Sequence, residues 1–304
     1  MKKNNSLNKI IIICGPTAVG KTAVGLELCR RLGGEVVSAD SQQVYRGMDI
    51  GTAKDDLIGS DIPCHLVDII DPDQLFDVAQ FKEKADEVIK DIVSREKVPV
   101  VVGGTGFYIK VLVESLCEAP SRDEDIRLEL DAIRDAKGAE AIYNILKSED
   151  PLMAERLNVN DYQRVSRAIE VKRITGRSLS EFQTNQVVEP HYKAVMVGLN
   201  ANRISLYQKI NERVDTMIKR GLVEEVKGIV DNYGYAIQSL KAVGYKEIVG
   251  FLKGDTDLER AVFLTKRNTR RFAKRQLTWF RRDPQIEWFA PSAVDDIVEY
   301  VNNN

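Results

Sequence analysis

Long apolar runs are missing from this chain. The longest, Ile10 to Cys14 and Val98 to Val102, fall far short of the roughly 20 residues that cross a bilayer. Each leads to a glycine turn, so both are expected to be buried strands. The basic start, Met1-Lys2-Lys3-Asn4-Asn5, is followed by a glycine-rich loop rather than a small-residue cleavage site. That makes a poor signal peptide, and a cytoplasmic protein without membrane contact is expected. Histidine and cysteine are also scarce, with two of the first and four of the second. Cys14, Cys29, Cys64 and Cys117 form no CxxC pair, and His65 and His191 add no zinc-ligand spacing, so reduced structural thiols are expected. Residues 260 to 282 contain no acid, although the whole chain has a formal charge of −2. The average therefore conceals a purely basic segment.

What is present suffices for a full core. The 304 residues are 43% hydrophobic and 30% charged, which excludes disorder and leaves room for one large or two smaller domains. Neither an internal repeat nor a low-complexity segment is found. Apolar strand, turn and amphipathic segment alternate through the first hundred residues, the pattern of a parallel sheet with crossover helices. Strands are expected near 9–14, 35–39, 65–69 and 98–102. From Ala119 to about Pro190 the pattern changes to charged helical segments, broken at Asp150-Pro151 and ending a helix near Gly176. Ala194 to Leu199 reads as a strand again, and 203–220, 222–233 and 257–280 read as helices.

The first chemical motif is Gly15-Pro16-Thr17-Ala18-Val19-Gly20-Lys21-Thr22, a complete GxxxxGK[ST] loop between a strand and a helix. Gly15 and Gly20 let the backbone curl so that successive N–H groups point inward. The helix start adds partial positive charge, Lys21 adds a full one, and Thr22 offers a hydroxyl to Mg²⁺. Any diphosphate or triphosphate, ATP included, fits such a nest. The expected fold is therefore α/β: a P-loop NTPase-like parallel-sheet core, residues 1–118 and 194–304, with a helical insertion domain at 119–193.

ATP-driven machines also need an acid at the end of a core strand to hold the metal. Here the strand Val98 to Val102 runs into Gly103-Gly104-Thr105-Gly106, with a hydroxyl and flexible backbone in that place. His65-Leu66-Val67-Asp68 is a weaker alternative that also reads as a structural strand end. A group transferase fits better. The second strand ends in Asp40-Ser41-Gln42-Gln43, on the side of the sheet that faces the ligand crevice. Asp40 is placed to take a proton from an attacking amine or hydroxyl, or to cap the following turn. Gln42 and Gln43 can meet a base edge or simply be polar loop residues.

The string from Ser38 through Asp40, Tyr45, Asp49 and Gly51 to Lys54 resembles the tRNA dimethylallyltransferase (tRNA isopentenyltransferase) family. Further matches follow in order: His65 to Asp68, Gly103 to Tyr108, Asn160 to Val165, Ala242 to Glu247, and Lys274 to Arg281. They extend over residues 10 to 282. The resemblance implies transfer of the dimethylallyl group of dimethylallyl diphosphate to N6 of the adenosine on the 3′ side of a tRNA anticodon. Asp40 would then be the base and Thr105 would lie by the reacting adenosine. It also implies RNA contacts from Ser41, Gln42, Gln43 and Arg127, from the insertion segment Asp161, Tyr162, Gln163, Arg164 and Val165, and from Lys274, Arg275, Gln276 and Arg281. The partners would be the tRNA anticodon stem-loop and dimethylallyl diphosphate, with Mg²⁺ as cofactor and the enzyme a monomer.

Two departures stand out. Cys64 replaces a histidine usual before His65, and Phe107 replaces a leucine; both read as packing changes. The chain ends at Asn304 without the C-terminal zinc finger frequent in eukaryotic relatives, so a bacterial-type member is expected. Asp295-Asp296-Ile297-Val298-Glu299 only approximates the DDxxD cluster of other prenyl synthases and reads as a solvated helix face. The rival activities are prenylation of a free adenine nucleotide and small-molecule phosphorylation. The basic residues Arg267, Arg271, Lys274, Arg275, Arg281 and Arg282, interleaved with Phe272, Trp279 and Phe280, speak for an RNA substrate, which a mononucleotide would not require.

Overall fold

In the computed structural model, which describes residues 7–114, 120, 122–184 and 190–304, six strands form one sheet. They are β1 (Lys9–Cys14), β2 (Gly34–Ser38), β3 (Cys64–His65), β4 (Val98–Val102), β5 (Lys193–Leu199) and β6 (Glu287–Phe289). Their order is β3-β2-β4-β1-β5-β6, and every pairing is parallel. Strands with covers on both faces need apolar residues at every position rather than at alternate ones. Ile10 to Cys14 accordingly have no exposed surface. The chain moves outward from β1 to β2 and β3, returns to insert β4 beside β1, and continues on the far side with β5 and β6. Such a reversal opens a crevice at the carboxyl ends of the strands.

Helices cover the sheet and are started by local chemistry. Helix Val78–Ser94 begins with a capping box in which Asp77 accepts from Ala79 and Gln80 N–H while Gln80 accepts from Asp77 N–H. Helix Leu258–Phe280 starts where Asp257 accepts from Arg260 N–H at 2.7 Å. Helix Lys21–Leu32 differs: its N-cap, Gly20, supplies no side chain, and no acid lies in its first turn. Its leading N–H groups are left for something else.

The chain divides into two compact units, residues 1–113 with 190–304, and residues 114–189. The second contains no strand among its described residues. Its core gathers Leu130, Ile142, Leu146, Val165 and Ile169. Asp150 both ends one helix and starts the next, Pro151–Arg156, accepting from Met153 N–H at 3.2 Å. Gly176 closes helix Tyr162–Thr175 in a left-handed conformation. The basic start Met1 to Asn5, together with Cys117 and Ala119, lies outside the described residues.

One strand differs from expectation. The sequence suggests 65–69, but β3 stops at His65. Leu66 and Asp68 have positive φ angles of 61° and 54°, so the chain leaves the sheet. Asp68 turns to the buried Lys54 ammonium at 2.5 Å, which makes it a structural partner. β6 was not foreseen, being three residues long and at the sheet edge. No helix of the described residues is long and apolar enough to cross a membrane. Asp295 and Asp296 are exposed on helix Val294–Asn303, with Asp295 paired to Arg31. Cys14, Cys29 and Cys64 are free thiols; burial raises the first two to about 12 and Cys64 to about 11, leaving them as inert thiols.

At the opposite end of the sheet, buried Glu35 on β2 accepts from His65 Nε2 on β3 at 2.7 Å and from Arg95 Nη2, just after helix Val78–Ser94, at 2.8 Å. The Arg95 hydrogen bonds, with His65 behind them, hold the Glu35 carboxyl down at about 2 against the opposing effect of burial. A lowered carboxyl contributes stability above its unfolded value, near 4.3, and loses it as pH falls towards the folded one. With Arg95 half-exposed, the contribution is on the order of 1–2 kcal/mol. Urea unfolding of Glu35→Gln should show that deficit at pH 6, and the gap to the parent should narrow by pH 3. A gap that is constant over this range would rule out ionic locking.

Candidate active site

Three loops meet at the carboxyl edge of the sheet. The first follows β1 and is the P-loop. Gly15 has φ 140°, and a Cβ there would lie 2.6 Å from the carbonyl oxygen of Leu199 on β5. Only glycine can pass so close to that main chain. The side chain of Val19 is buried in the core, so only its main chain is available to the loop. Lys21 Nζ donates to its own loop at Pro16 O, 2.8 Å away, a contact that an anion can replace.

The second and third loops follow β2 and β4 and are joined to each other. Ala39 N–H donates to Val102 O at 2.8 Å, and Thr105 N–H to Ala39 O at 3.2 Å. Ser41 N–H donates to Thr105 Oγ1 at 3.0 Å, while Asp40 Oδ1 accepts from Gln42 N–H at 2.9 Å. Asp40 thus does cap a turn, and it lines the cavity as well. Gln43 is buried and accepts from the Ser38 hydroxyl at 2.8 Å, so it supports the loop from within. The side-chain oxygen of Gln42 is buried and has no hydrogen-bond partner.

Between the loops lies a cavity of about 340 Å³. Thr17, Ala18, Gly20, Lys21 and Thr22 line it from the P-loop, Asp40 and Gln43 from the second loop, and Gly103 from the third. Gly15, Pro16, Val19, Ser41, Gln42 and Thr105 are not among its lining residues. Lys209, Arg213 and Asp56 also reach the cavity, and none of them was singled out from the sequence. A signal existed: Lys209 and Arg213 stand four apart on helix Arg203–Lys219 and therefore share a face. Their partner face was not visible in one dimension.

The cavity is built for an anion. Burial pushes the Lys21 ammonium down to about 8, with Asp40 opposing the shift and Arg213 adding to it. Arg213 is lowered too, chiefly by burial, while Asp40 resists. Two desolvated cations, each lowered chiefly by burial, become stable when a multiply charged anion arrives. Asp40 and Asp56 supply acids on the same walls. The hard oxygens of Thr22, Asp40 and Asp56 suit Mg²⁺, yet no group of three His, Cys, Asp or Glu that could cage a metal occurs among the described residues. A Mg²⁺ ion here would thus rely on phosphate oxygens and water.

Helix Leu258–Phe280 contributes to the cavity with Phe272 and Gln276. Its outer face forms a separate groove of about 460 Å³ lined by Arg271, Lys274, Arg275, Thr278, Trp279 and Arg282. Lys274 and Arg275 are exposed in this groove, and Arg281, outside its lining, is exposed as well. Gln276 is not: it is turned inward and 6% exposed. In the second unit, Gln163 and Arg164 are exposed, with Arg164 paired to Asp161 at 2.8 Å. Tyr162 lies beneath the Arg134 guanidinium, 4.3 Å from its ring centroid. Two of the residues expected at the RNA are buried. Val165 is 1% exposed because the apolar face of its helix must fill the unit's core. Arg127 is buried, and it donates to Glu170 at 3.1 Å through both Nε and Nη2 and to Ser166 at 3.0 Å. Its donors are committed to positioning helix Tyr162–Thr175.

The family model described as IPP transferase matches residues 43–283. The chain belongs to the IPP transferase family. It is 47% identical over 291 residues to the tRNA dimethylallyltransferase of Heliobacterium modesticaldum, covering 94% of this chain and 90% of that one. With the tRNA dimethylallyltransferase of Geobacter sulfurreducens it shares 47% over 298 residues, covering 96% and 95%. Among solved structures it resembles the tRNA isopentenylpyrophosphate transferase of Bacillus halodurans, with a TM-score of 0.72 and 41% identity over 97% of this chain and 96% of that one. A eukaryotic dimethylallyltransferase captured acting on tRNA aligns with a TM-score of 0.80 and 27% identity, covering 97% of this chain and 77% of that one.

In this IPP transferase the anion cavity can be tested without any acceptor. Lys21 loses its charge as pH rises through about 8, so inorganic diphosphate should bind more weakly at pH 9 than at pH 7. Calorimetry on Lys21→Met should give weaker binding with a flatter pH dependence, which separates the lysine from the titration of diphosphate itself. Parallel pH curves for the two proteins would mean that Lys21 does not face the anion.

Proposed function

We propose that the protein transfers the dimethylallyl group of dimethylallyl diphosphate to N6 of the adenosine 3′-adjacent to a tRNA anticodon, releasing diphosphate. The observation that supports this most is the sharing of one cavity by Asp40 and the cations Lys21, Lys209 and Arg213. A leaving anion and an attacking amine need those two kinds of group side by side. In the transfer, the N6 lone pair forms a bond to C1 of the dimethylallyl group while the C1–O bond breaks. The electron pair leaves with the diphosphate, and the N6 proton passes to the Asp40 carboxylate.

The P-loop amides, Lys21 and Arg213 stabilise the charge that grows on the leaving oxygens. Mg²⁺, held through Thr22 and the diphosphate, would supply further neutralisation. Thr105 borders the acceptor side, its hydroxyl oriented by Ser41 N–H at 3.0 Å. An adenosine in an anticodon loop is stacked and must be flipped out, at a cost of a few kcal/mol offset by contacts elsewhere. Lys274, Arg275 and Arg281 provide such contacts to phosphates, and Gln163 and Arg164 offer polar groups from the second unit. The enzyme would work as a cytoplasmic monomer. A groove with four cationic side chains exceeds what a free nucleotide needs, and Gly103 to Gly106 supply no acid for a phosphoryl-transfer metal.

Incubation with labelled dimethylallyl diphosphate and either tRNA or AMP tests the reading directly. Label is expected in tRNA only, and label confined to AMP would overturn it. In the same assay Asp40→Ala should abolish transfer while tRNA binding persists; turnover near the parent rate would remove Asp40 as the base. Replacing Arg275 and Arg281 together with Ala should weaken tRNA binding and reduce its salt slope by about 2. An unchanged slope would place both side chains away from the RNA.

A further inference from the structure

Gln276 directly follows two exposed cations, Lys274 and Arg275. Its own side chain points the other way. The Oε1 atom accepts from Thr17 N–H in the P-loop at 2.8 Å, and Nε2 donates to Gly104 O at 2.8 Å. Both ends of one amide are thus spent on main-chain groups of two different loops. Gly104 permits this approach, because a Cβ there would lie 2.3 Å from Gln276 Nε2. The amide is anchored on a 23-residue helix through its buried neighbours Ala273 and Phe280.

The two loops are those on which the reaction depends. Thr17 belongs to the loop that receives the leaving diphosphate, and Gly104 precedes Thr105 on the acceptor side. Their strands β1 and β4 are paired only as far as Ile13 and Val102. Beyond that point one main-chain bond, Gly103 N–H to Ile13 O at 3.1 Å, continues the pairing. The gap between leaving group and nucleophile must be held near van der Waals contact, and a shift of about 1 Å can cost on the order of a hundredfold in rate. We propose that Gln276 is a positioning residue that clamps the diphosphate loop to the acceptor loop and sets that spacing, and is not an RNA contact. This rests on the transferase reading above.

Gln276→Glu gives the test, since its charged form can accept from Thr17 N–H but sets an oxygen against Gly104 O. Once protonated, the introduced carboxyl accepts and donates as the amide does. At pH 8 and saturating substrates, transfer by Gln276→Glu should be at least about tenfold slower than the parent. The variant-to-parent ratio should climb as pH is lowered towards 6, because burial, the Gly104 carbonyl and the acids Asp40 and Asp56 of the same cavity favour the protonated form against the pull of Lys21, Lys209 and Arg213. Gln276→Met, similar in shape but unable to make either bond, should be slow at every pH. For both variants the tRNA dissociation constant and its salt slope should remain within about twofold of the parent. Weaker tRNA binding with unchanged saturated transfer would make Gln276 an RNA contact and overturn the clamp. Equal, pH-independent losses in the two variants would also overturn it, as a packing defect.

A readout without catalysis separates the clamp from the function. Gly106 lies so close to the Trp279 indole that a Cβ would be 2.3 Å from it, so movement of the acceptor loop should alter Trp279 emission. In a Trp288→Phe background, Gln276→Glu should show emission that shifts with pH between 8 and 6 while the parent does not. That shift with no transfer to tRNA by the parent would leave the clamp standing and sink the transferase reading. Emission that does not respond to pH in a variant with parental melting temperature would sink the clamp.

Discussion

The register of three strands governs this structure. Ser38 on β2 lies opposite Val102 on β4, and Val102 lies opposite Ile13 on β1. Three parallel strands therefore end at one level, and the loops after them cannot avoid one another. A parallel sheet offers no hydrogen bonds beyond its last paired residues, so loop amides and carbonyls must find partners locally. Ala39, Gly103 and Thr105 find them in neighbouring strands and loops, and Thr17 and Gly104 find one in Gln276. What remains open at the edge is the row of helix-start amides behind Gly20, which no side chain caps. The site is the part of the edge that the protein leaves unsatisfied.

A second frame holds the cavity's outer wall, which the loop from Tyr45 to Lys54 supplies through Thr52 and Ala53. Glu225 accepts from three successive amides of that loop, Asp49, Ile50 and Gly51, at 2.9, 2.6 and 3.1 Å. Its remaining capacity is taken by the Tyr245 hydroxyl at 2.6 Å, a phenol that burial and Glu225 hold well above its ordinary pKa. Lys54 has no exposed surface and donates to Tyr45 O, Asp49 and Asp68. A buried ammonium is tolerable only with such a full set of acceptors. These contacts explain why Asp49-Ile50-Gly51 and Gly244-Tyr245, nearly 200 residues apart, both stood out in the sequence. A Cβ on Gly51 would meet the Tyr245 ring at 2.4 Å, so the two strings are one packing unit.

The P-loop, the Asp40 turn and the glycine loop after β4 were legible because their chemistry is local. Each follows an apolar run, and the position of a strand's end tells where its loop goes. The helix of residues 258–280 was legible as a basic amphipathic stretch, but periodicity assigns a residue to a face without saying what covers that face. Gln276 and Phe272 were therefore read with the cations, although they point into the cavity. The burial of Arg127 and Val165 was hidden for the same reason, since neither Glu170 nor the core of the second unit can be seen from the residues beside them. Lys209 and Arg213 escaped because a cationic pair on a helix is ordinarily a solvated one. The segment 66–69 was apolar enough for a strand, yet the pull of Lys54 on Asp68 and the left-handed Leu66 took it out of the sheet.

Charge ties these parts together. A chain with a net charge of −2 must concentrate its cations to hold an anion, and it does so twice around one helix. On the inner side, Phe272 and Gln276 line the cavity without adding charge, so its positive charge comes from Lys21, Lys209 and Arg213. On the outer side, Arg271, Lys274, Arg275 and Arg282 form a groove with no acid in its lining. The Arg275 guanidinium lies 5.7 Å from the centroid of the Phe272 ring, so one aromatic group separates outer cation from inner cavity. Neutral side chains at that boundary place no further cation between the two positive regions. In the proposed transfer, two anionic substrates occupy these neighbouring sites and the reacting atoms lie between Asp40 and Lys21.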